Sequence, residues 1–208
     1  MHNPSTKNLE AGIRYWQQEL TGWPADLHNE LYRNLHEWKQ GGLTPDWWAR
    51  IVDVLSGWRA IRPRTKAFIY EHGIGCLSAL EDEYLRLARL TLNDQPCLSD
   101  FYWNEVAGLF ELARSIKGVD SPVFASKLCH FLMPNIYPVI DHAVVGVNGS
   151  YAEYWALCAR LWAECEEKAA LVETVKTAIG DSVFDRYPFS TKIVELSLIG
   201  ERQSTPLP

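Results

Sequence analysis

The sequence predicts an all-α fold, and three observations support this fold class. Apolar residues recur every three to four positions, proline and N-capping residues stand where helices begin, and no segment alternates apolar and polar residues as a strand does. The 208 residues, of which 47% are hydrophobic, are enough for a single compact domain over residues 1–208. Within it we expect two lobes, at 1–98 and 99–200, with a cleft between them.

The first predicted helix has one apolar stripe, formed by Leu27, Leu31, Leu35 and Trp38. Asp26 is its expected N-cap and Gly41-Gly42 its expected stop. Thr44-Pro45-Asp46 then combines an N-cap, a proline at the first helical position and an acid in the first turn, so the second helix begins here and ends near Gly57.

The same signals divide the rest of the chain. Gly73 and Gly75 interrupt the helical pattern and predict a break between two helices. Residues 136–139 read as a short extended piece, and Gln203 onward as a frayed tail. The further helices are predicted at about 64–69, 76–92, 99–118, 120–133, 151–166, 168–179 and 188–199.

Composition restricts the class of protein. The five cysteines (Cys76, Cys97, Cys129, Cys158, Cys165) are odd in number and match no disulfide framework, so we expect reduced thiols. No cysteine and histidine spacing fits zinc or an iron–sulfur cluster, so no metal or other cofactor is expected. The polar start of the chain and the absence of a run of ~20 apolar residues predict a cytoplasmic protein without a membrane partner, and we expect a monomer.

The net charge of −6 argues against non-specific binding of polyanions, but a local basic cluster stands apart from it. Five basic residues and a single acid, Asp53, fall within seventeen positions. They form either a solvated helix end and loop or a binding site for phosphates. The basic residues are Arg50, Arg59, Arg62, Arg64 and Lys66.

The segment from Leu112 to Val147 carries the pattern that bears on chemistry. One helix ends at Ile116-Lys117-Gly118-Val119-Asp120 and another begins at Ser121-Pro122, which predicts a helix, a tight glycine turn and a second helix over residues 110–132. Backbone N–H groups at such a turn and at the following helix start suit one phosphate. Further along, Asp141 ends the apolar stretch of Tyr137-Pro138-Val139-Ile140 and stands near a helix start, next to His142.

These residues resemble the helix-hairpin-helix DNA glycosylases. In that family the hairpin reads L-P-G-V-G, and an apolar stretch containing proline leads to a catalytic aspartate, as in the P-x-x-D-x-x-V of the adenine-mismatch glycosylases. Gly118, Val119, Pro138, Asp141 and Val144 match this pattern over about 35 residues. The resemblance implies a two-lobed fold with an interlobe cleft, base excision from DNA, and Asp141 as the catalytic carboxylate.

The departures from the family pattern refine this expectation. Asp120 replaces the second hairpin glycine, and Pro122 stands where bifunctional members carry their Schiff-base lysine. The resemblance therefore implies a monofunctional enzyme that hydrolyses the N-glycosidic bond and leaves an abasic site. Lys127 is either an unorthodox amine that gives lyase activity or an exposed helix lysine. By extrapolation from the resemblance, the substrate includes modified phage bases, such as glucosylated hydroxymethylcytosine, removed in antiviral defence.

Base excision requires the base to leave the DNA stack and enter a pocket. For this pocket we expect Trp47 and Trp48, which stand near the basic cluster, and His130, whose alternative is a satisfied, buried histidine. Most single tryptophans are expected to pack in the core. The expected DNA contacts are Lys117, Gly118, Val119, Ser121, Lys127, His142, Arg62 and Arg64.

Two other classes of function remain open from the residues alone. A non-enzymatic helical module that binds DNA or a protein is favoured by the net charge of −6 and by Asp120. A helical enzyme acting on a small nucleoside would need fewer basic residues. The base that is recognised does not follow from the sequence.

Overall fold

The computed structural model describes residues 4–20, 22–90, 96–117, 121–140 and 149–204. Nine α-helices and no strand occur in these ranges, which confirms the all-α prediction. None of these helices is long and apolar enough to cross a membrane. The helices are α1 (Thr6–Arg14), α2 (Asn29–Trp38), α3 (Pro45–Gly57), α4 (Lys66–Leu90), α5 (Trp103–Lys117), α6 (Pro122–Leu132), α7 (Tyr151–Ala163), α8 (Lys168–Ile179) and α9 (Phe189–Ser204).

Local capping explains where α2 and α3 begin. At α3 the Thr44 hydroxyl accepts a hydrogen bond from the Trp47 N–H at 3.2 Å and Pro45 takes the first helical position, as predicted. Helix α2 begins later than predicted, because His28, with a φ of 67°, is its N-cap residue. Asp26 still supplies the cap, since its carboxylate accepts from the N–H groups of His28 and Glu30 at 3.2 and 3.0 Å.

Helix α4 runs without a break through Gly73 and Gly75, so the predicted interruption is wrong. Gly73 is needed for packing and not for a turn: a Cβ at this position would collide with the Trp48 indole. The glycine lets α3 and α4 approach closely, at the usual cost of glycine in a helix of about 1 kcal/mol.

The two ends of the described chain pack on each other through helices α1 and α9. Gly12 of α1 lies against the backbone of Leu196, and Gly200 of α9 lies against the backbone of Asn8. Helix α9 is buried from Ser190 to Gly200 and reaches Ser204, so the predicted frayed tail does not begin at Gln203. The lobes at 1–98 and 99–200 stay a prediction, and α1 and α9, which that division assigns to different lobes, are in contact.

Gly12→Ala tests this close helix crossing. Because the added Cβ would meet the Leu196 carbonyl, we expect the free energy of unfolding to fall by about 1–3 kcal/mol in chemical denaturation. Gly75→Ala is the matched control, since a Cβ there meets no atom within 4 Å and alanine is the better helix former. Equal stability of the two variants would contradict the close approach of α1 and α9.

Candidate functional site

The segment that links α6 to Asp141 is irregular, yet its backbone carbonyls are fully bonded. All eight carbonyls from Leu132 to Val139 accept a hydrogen bond at 2.5–3.2 Å. One of them accepts from backbone N–H groups within the segment, and the other seven accept from side chains. In chain order of the carbonyls, these side chains are Lys39, Thr191, Ser190, Trp155, His130, Tyr151 and Tyr154.

Several N–H groups of the segment are also paired. Pro134 and Pro138 have no N–H to satisfy, and the N–H of Ile140 donates to the Ser126 hydroxyl at 3.3 Å. Buried backbone outside helices and strands costs free energy unless its polar groups are paired. The pairing therefore fixes the chain up to Ile140, the residue that directly precedes Asp141 in the sequence.

His130 is one of the side chains that hold this segment. Its Nδ1 donates to the Tyr137 carbonyl at 2.7 Å, so its Nε2 accepts from the Tyr32 hydroxyl, also at 2.7 Å. Burial and the charge of Lys192 lower the pKa of His130 to about 3. The alternative of a satisfied, buried histidine is confirmed, and both ring nitrogens are occupied.

Trp47 and Trp48 do not share a pocket with His130. Trp48 is fully buried and donates from Nε1 to the Tyr70 carbonyl at 2.9 Å, while Trp47 borders a surface groove of about 390 Å³ beside Trp38. His130 lies near Trp58, with 6.3 Å between ring centroids, at the other end of α3. The ten residues from Trp48 to Trp58 correspond to about 15 Å along a helix axis.

Two of the expected DNA contacts meet at the end of α5. The Lys117 ammonium donates to the Ala60 carbonyl at 2.5 Å. Its pKa is lowered by partial burial and by repulsion from Arg62, which follows Ala60 by two residues. Arg59, Arg62 and Arg64 are exposed around the 3-10 turn Pro63–Thr65, whereas Lys66 pairs with Asp53 at 2.7 Å. We call Arg59, Arg62, Arg64 and Lys117 the basic edge.

Lys127 is buried, whereas the sequence predicted either a DNA contact or an exposed helix lysine at this position. Only 3% of it is exposed, and its ammonium donates to the Trp58 carbonyl at 2.9 Å. Ser121 is the N-cap residue of α6, and its side chain makes no capping hydrogen bond. Gly118, Val119, Asp141 and His142 lie outside the described residues, as does the hairpin turn itself.

Sequence reasoning missed the charged residues of α9. The Lys192 ammonium is 1% exposed and stands 3.4 Å from the carboxylate of Glu195, itself 6% exposed. A lysine and a glutamate three residues apart usually indicate a solvated helix face. The one available signal was that this helix carries almost no other charge before Glu201.

The predictions on cysteines and on tryptophans are confirmed. All five cysteines are free thiols, as predicted, and six tryptophans (Trp16, Trp47, Trp48, Trp58, Trp155, Trp162) are buried in the core. In the part of the chain that the structure describes, no three His, Cys, Asp or Glu side chains converge as metal ligands.

Comparisons with known proteins add no relative to these observations. No protein-family model matches the chain, and neither the curated proteins nor the solved structures that were compared contain a match. The resemblance to the helix-hairpin-helix glycosylases therefore stays a prediction, and function has to be argued from the residues.

Acid should destabilise the folded protein through its buried histidines. Burial and Lys192 lower the pKa of His28 from 6.5 to about 2, and that of His130 to about 3. Their neutral forms contribute full stability above pH 6.5, and this contribution is lost as the pH falls from 6.5 toward 3, because the unfolded chain binds the protons first. We expect the free energy of unfolding to fall by about 1.4 kcal/mol per pH unit for each histidine.

Guanidinium denaturation at a series of pH values measures this slope. His130→Gln should lower the slope of the unfolding free energy against pH by the contribution of about one proton. His72→Gln, on the exposed face of α4, should leave the slope as in the wild type. An unchanged slope in His130→Gln would show that His130 is not held neutral.

Proposed function

We propose that this chain is a monofunctional DNA glycosylase that removes a damaged or modified base and leaves an abasic site. The observation that carries the proposal is the fixed segment between Leu132 and Ile140, which leads directly to Asp141. A simple connection between two helices does not require seven side chains to hold its carbonyls. A catalytic carboxylate does require a rigid support, because small displacements from its working position are costly in rate.

The surroundings of this segment suit a DNA substrate. Ser126, which binds the Ile140 N–H, stands five residues after Ser121, or about 7.5 Å along α6. Only residues 118–120 separate the start of α6 from Lys117, whose ammonium binds the Ala60 carbonyl, two residues before Arg62. A phosphate held at this edge would therefore be within one to two helical turns of the chain that precedes Asp141.

The proposed reaction needs one carboxylate and one water. The bond between C1′ of the deoxyribose and the base breaks, the electron pair leaves with the base, and positive charge builds on the sugar. Asp141 stabilises this charge and takes a proton from the water that adds to C1′. The Lys127 ammonium donates to the Trp58 carbonyl, a role that favours a structural cation over a lyase nucleophile.

A second candidate is a helical module that binds DNA or protein without catalysis. The net charge of −6 favours it, since most DNA-binding domains are basic. The two candidates differ in whether the bound DNA changes chemically.

Asp141→Asn should abolish base release and leave DNA binding within about twofold of the wild type. Removing the carboxylate leaves the developing positive charge unstabilised, so we expect a rate loss of about a hundredfold or more. The measurement uses a panel of duplexes with damaged, mismatched or phage-type modified bases, treated with hot alkali and scored for strand breaks. Breaks that precede alkali would indicate a lyase instead.

Asp82→Asn is the matched control, because Asp82 is an exposed carboxylate on α4. It should cleave as the wild type does. If no duplex of the panel is cleaved while DNA is still bound, the binding module replaces the enzyme as the better proposal. Full activity of Asp141→Asn would remove Asp141 from the mechanism.

Arg62→Ala and Arg64→Ala should each weaken DNA binding through the basic edge. Each lost phosphate contact lowers the slope of log affinity against log salt by about one, with little dependence on base sequence. Fluorescence anisotropy at a series of salt concentrations gives this slope. Arg160→Ala, on the exposed face of α7, is the control, and an equal effect in this variant would exclude a localised edge.

A further inference from the structure

Four aromatic rings form one cluster at the hydrophobic core, and the half-buried Trp23 indole contacts the other three. The centroid of the Trp23 indole lies 5.1 Å from that of Trp16, 5.3 Å from that of His28 and 5.4 Å from that of Trp58. His28 also lies 5.2 Å from Trp16 and is stacked on Trp58 at 4.5 Å. We call Trp16, His28 and Trp58 the Trp23 cage.

Trp23 is held less firmly than the rings around it. It is half-buried and lies outside the helices, between Gly22, with a φ of 89°, and Pro24. Its N–H makes a long hydrogen bond of 3.3 Å to the Leu20 carbonyl. The three cage rings are at least 93% buried. The loop backbone is tied to the cage, because the Trp16 indole N–H donates to the Pro24 carbonyl at 3.1 Å. Withdrawal of the indole thus requires rotation of the Trp23 side chain alone, which leaves the cage in place.

The cage also encloses polar groups that packing alone does not require. The Lys192 ammonium lies 4.6 Å from the Trp16 centroid and 6.0 Å from that of Trp58, next to Glu195. The Nε2 atom of His28 is buried and has no hydrogen-bond partner. Replacement of a buried ion pair by apolar side chains often costs no stability, and an unpaired buried nitrogen is unfavourable. These groups are consistent with a ligand that would bind them.

Backbone strain is concentrated at the same place. Among the described residues, three other than glycine have positive φ: Leu27 at 53°, His28 at 67° and Arg59 at 57°. Arg59 ends α3 in the conformation that glycine usually supplies, next to the cage residue Trp58. Leu27 and His28 connect the loop that contains Trp23 to α2. Such conformations cost about 1 kcal/mol or more each and tend to occur at binding sites.

We propose that the Trp23 indole is a plug, and that the Trp23 cage is the pocket that receives the base once the plug leaves. This inference rests on the proposed function and adds the class of base. The indole has two fused rings, as a purine has, so a purine fits the space that it occupies. A glucosylated cytosine is larger than the indole and lies outside this proposal.

The polar groups of the cage select among purines. Lys192 donates to a carbonyl oxygen and Glu195 accepts from the neighbouring ring N–H, an arrangement that matches the lactam edge of guanine-like bases. His28 stays neutral, and its Nε2 binds a further edge atom. The rings of Trp16 and Trp58 supply stacking. The Lys192 charge opposes a cationic, alkylated base.

Titration calorimetry with free bases tests the pocket without any bond cleavage. We expect Trp23→Ala to bind hypoxanthine about tenfold more tightly than the wild type, because a plug reduces apparent affinity by the fraction of molecules that are open. Adenine, which lacks the carbonyl, should bind about tenfold more weakly than hypoxanthine. Trp38→Ala, a half-buried tryptophan outside the cage, is the control and should bind as the wild type does.

Each outcome decides the proposal. A folded Trp23→Ala variant that gains no affinity over Trp38→Ala overturns it, and so does equal binding of adenine and hypoxanthine. If Trp23→Ala does not fold, the same titrations are made with Trp23→Phe, which has one ring in place of two. The same criteria then apply. Hypoxanthine binding without base release from DNA would retain the pocket and reject the glycosylase. Base release from DNA without hypoxanthine binding would retain the glycosylase and reject the pocket.

Discussion

The architecture depends on satisfying a buried stretch of backbone that forms neither helix nor strand. Between Leu132 and Val139 seven of the eight carbonyls take a side-chain donor from elsewhere, since water does not reach most of the segment. The donors come from the end of α2 and from α6, α7 and α9, so one short segment ties four helices together. Loss of any one donor leaves a buried acceptor unpaired, which costs more than an ordinary hydrogen bond contributes.

The same hydrogen bonds link stability to the candidate site. His130 joins the segment to α2, because it donates to the Tyr137 carbonyl and accepts from the Tyr32 hydroxyl. The contact with Tyr32 requires the neutral imidazole, which burial and the nearby Lys192 charge maintain by lowering its pKa. The side chains that position the chain before Asp141 are thus also those that keep the interior polar groups paired. Local rigidity at the site is a consequence of how the core is built.

Sequence reasoning succeeded where local chemistry decides and failed where packing decides. The start of α3 was predictable because Thr44 and Pro45 act on their own turn. The unbroken α4 was not, since Gly73 is explained only by the Trp48 ring on another helix. The burial of Lys127 likewise depends on the Trp58 carbonyl, 69 residues away in the chain. At the site, the hairpin pattern and Asp141 stay predictions from spacing, whereas the Trp23 cage combines residues whose positions share no sequence signal.

The basic edge and the Trp23 cage would divide binding from selectivity, although Arg59 of the edge directly follows Trp58 of the cage. The protein is acidic as a whole, with a net charge of −6, so its few exposed arginines support only a modest, salt-dependent attraction to phosphate. Phosphate contacts position DNA and do not distinguish bases. In the proposed enzyme, discrimination therefore has to come from the buried donor and acceptor of Lys192 and Glu195. A low-dielectric pocket is suited to this task, because a base with the wrong edge would not match the donor of Lys192 and the acceptor of Glu195.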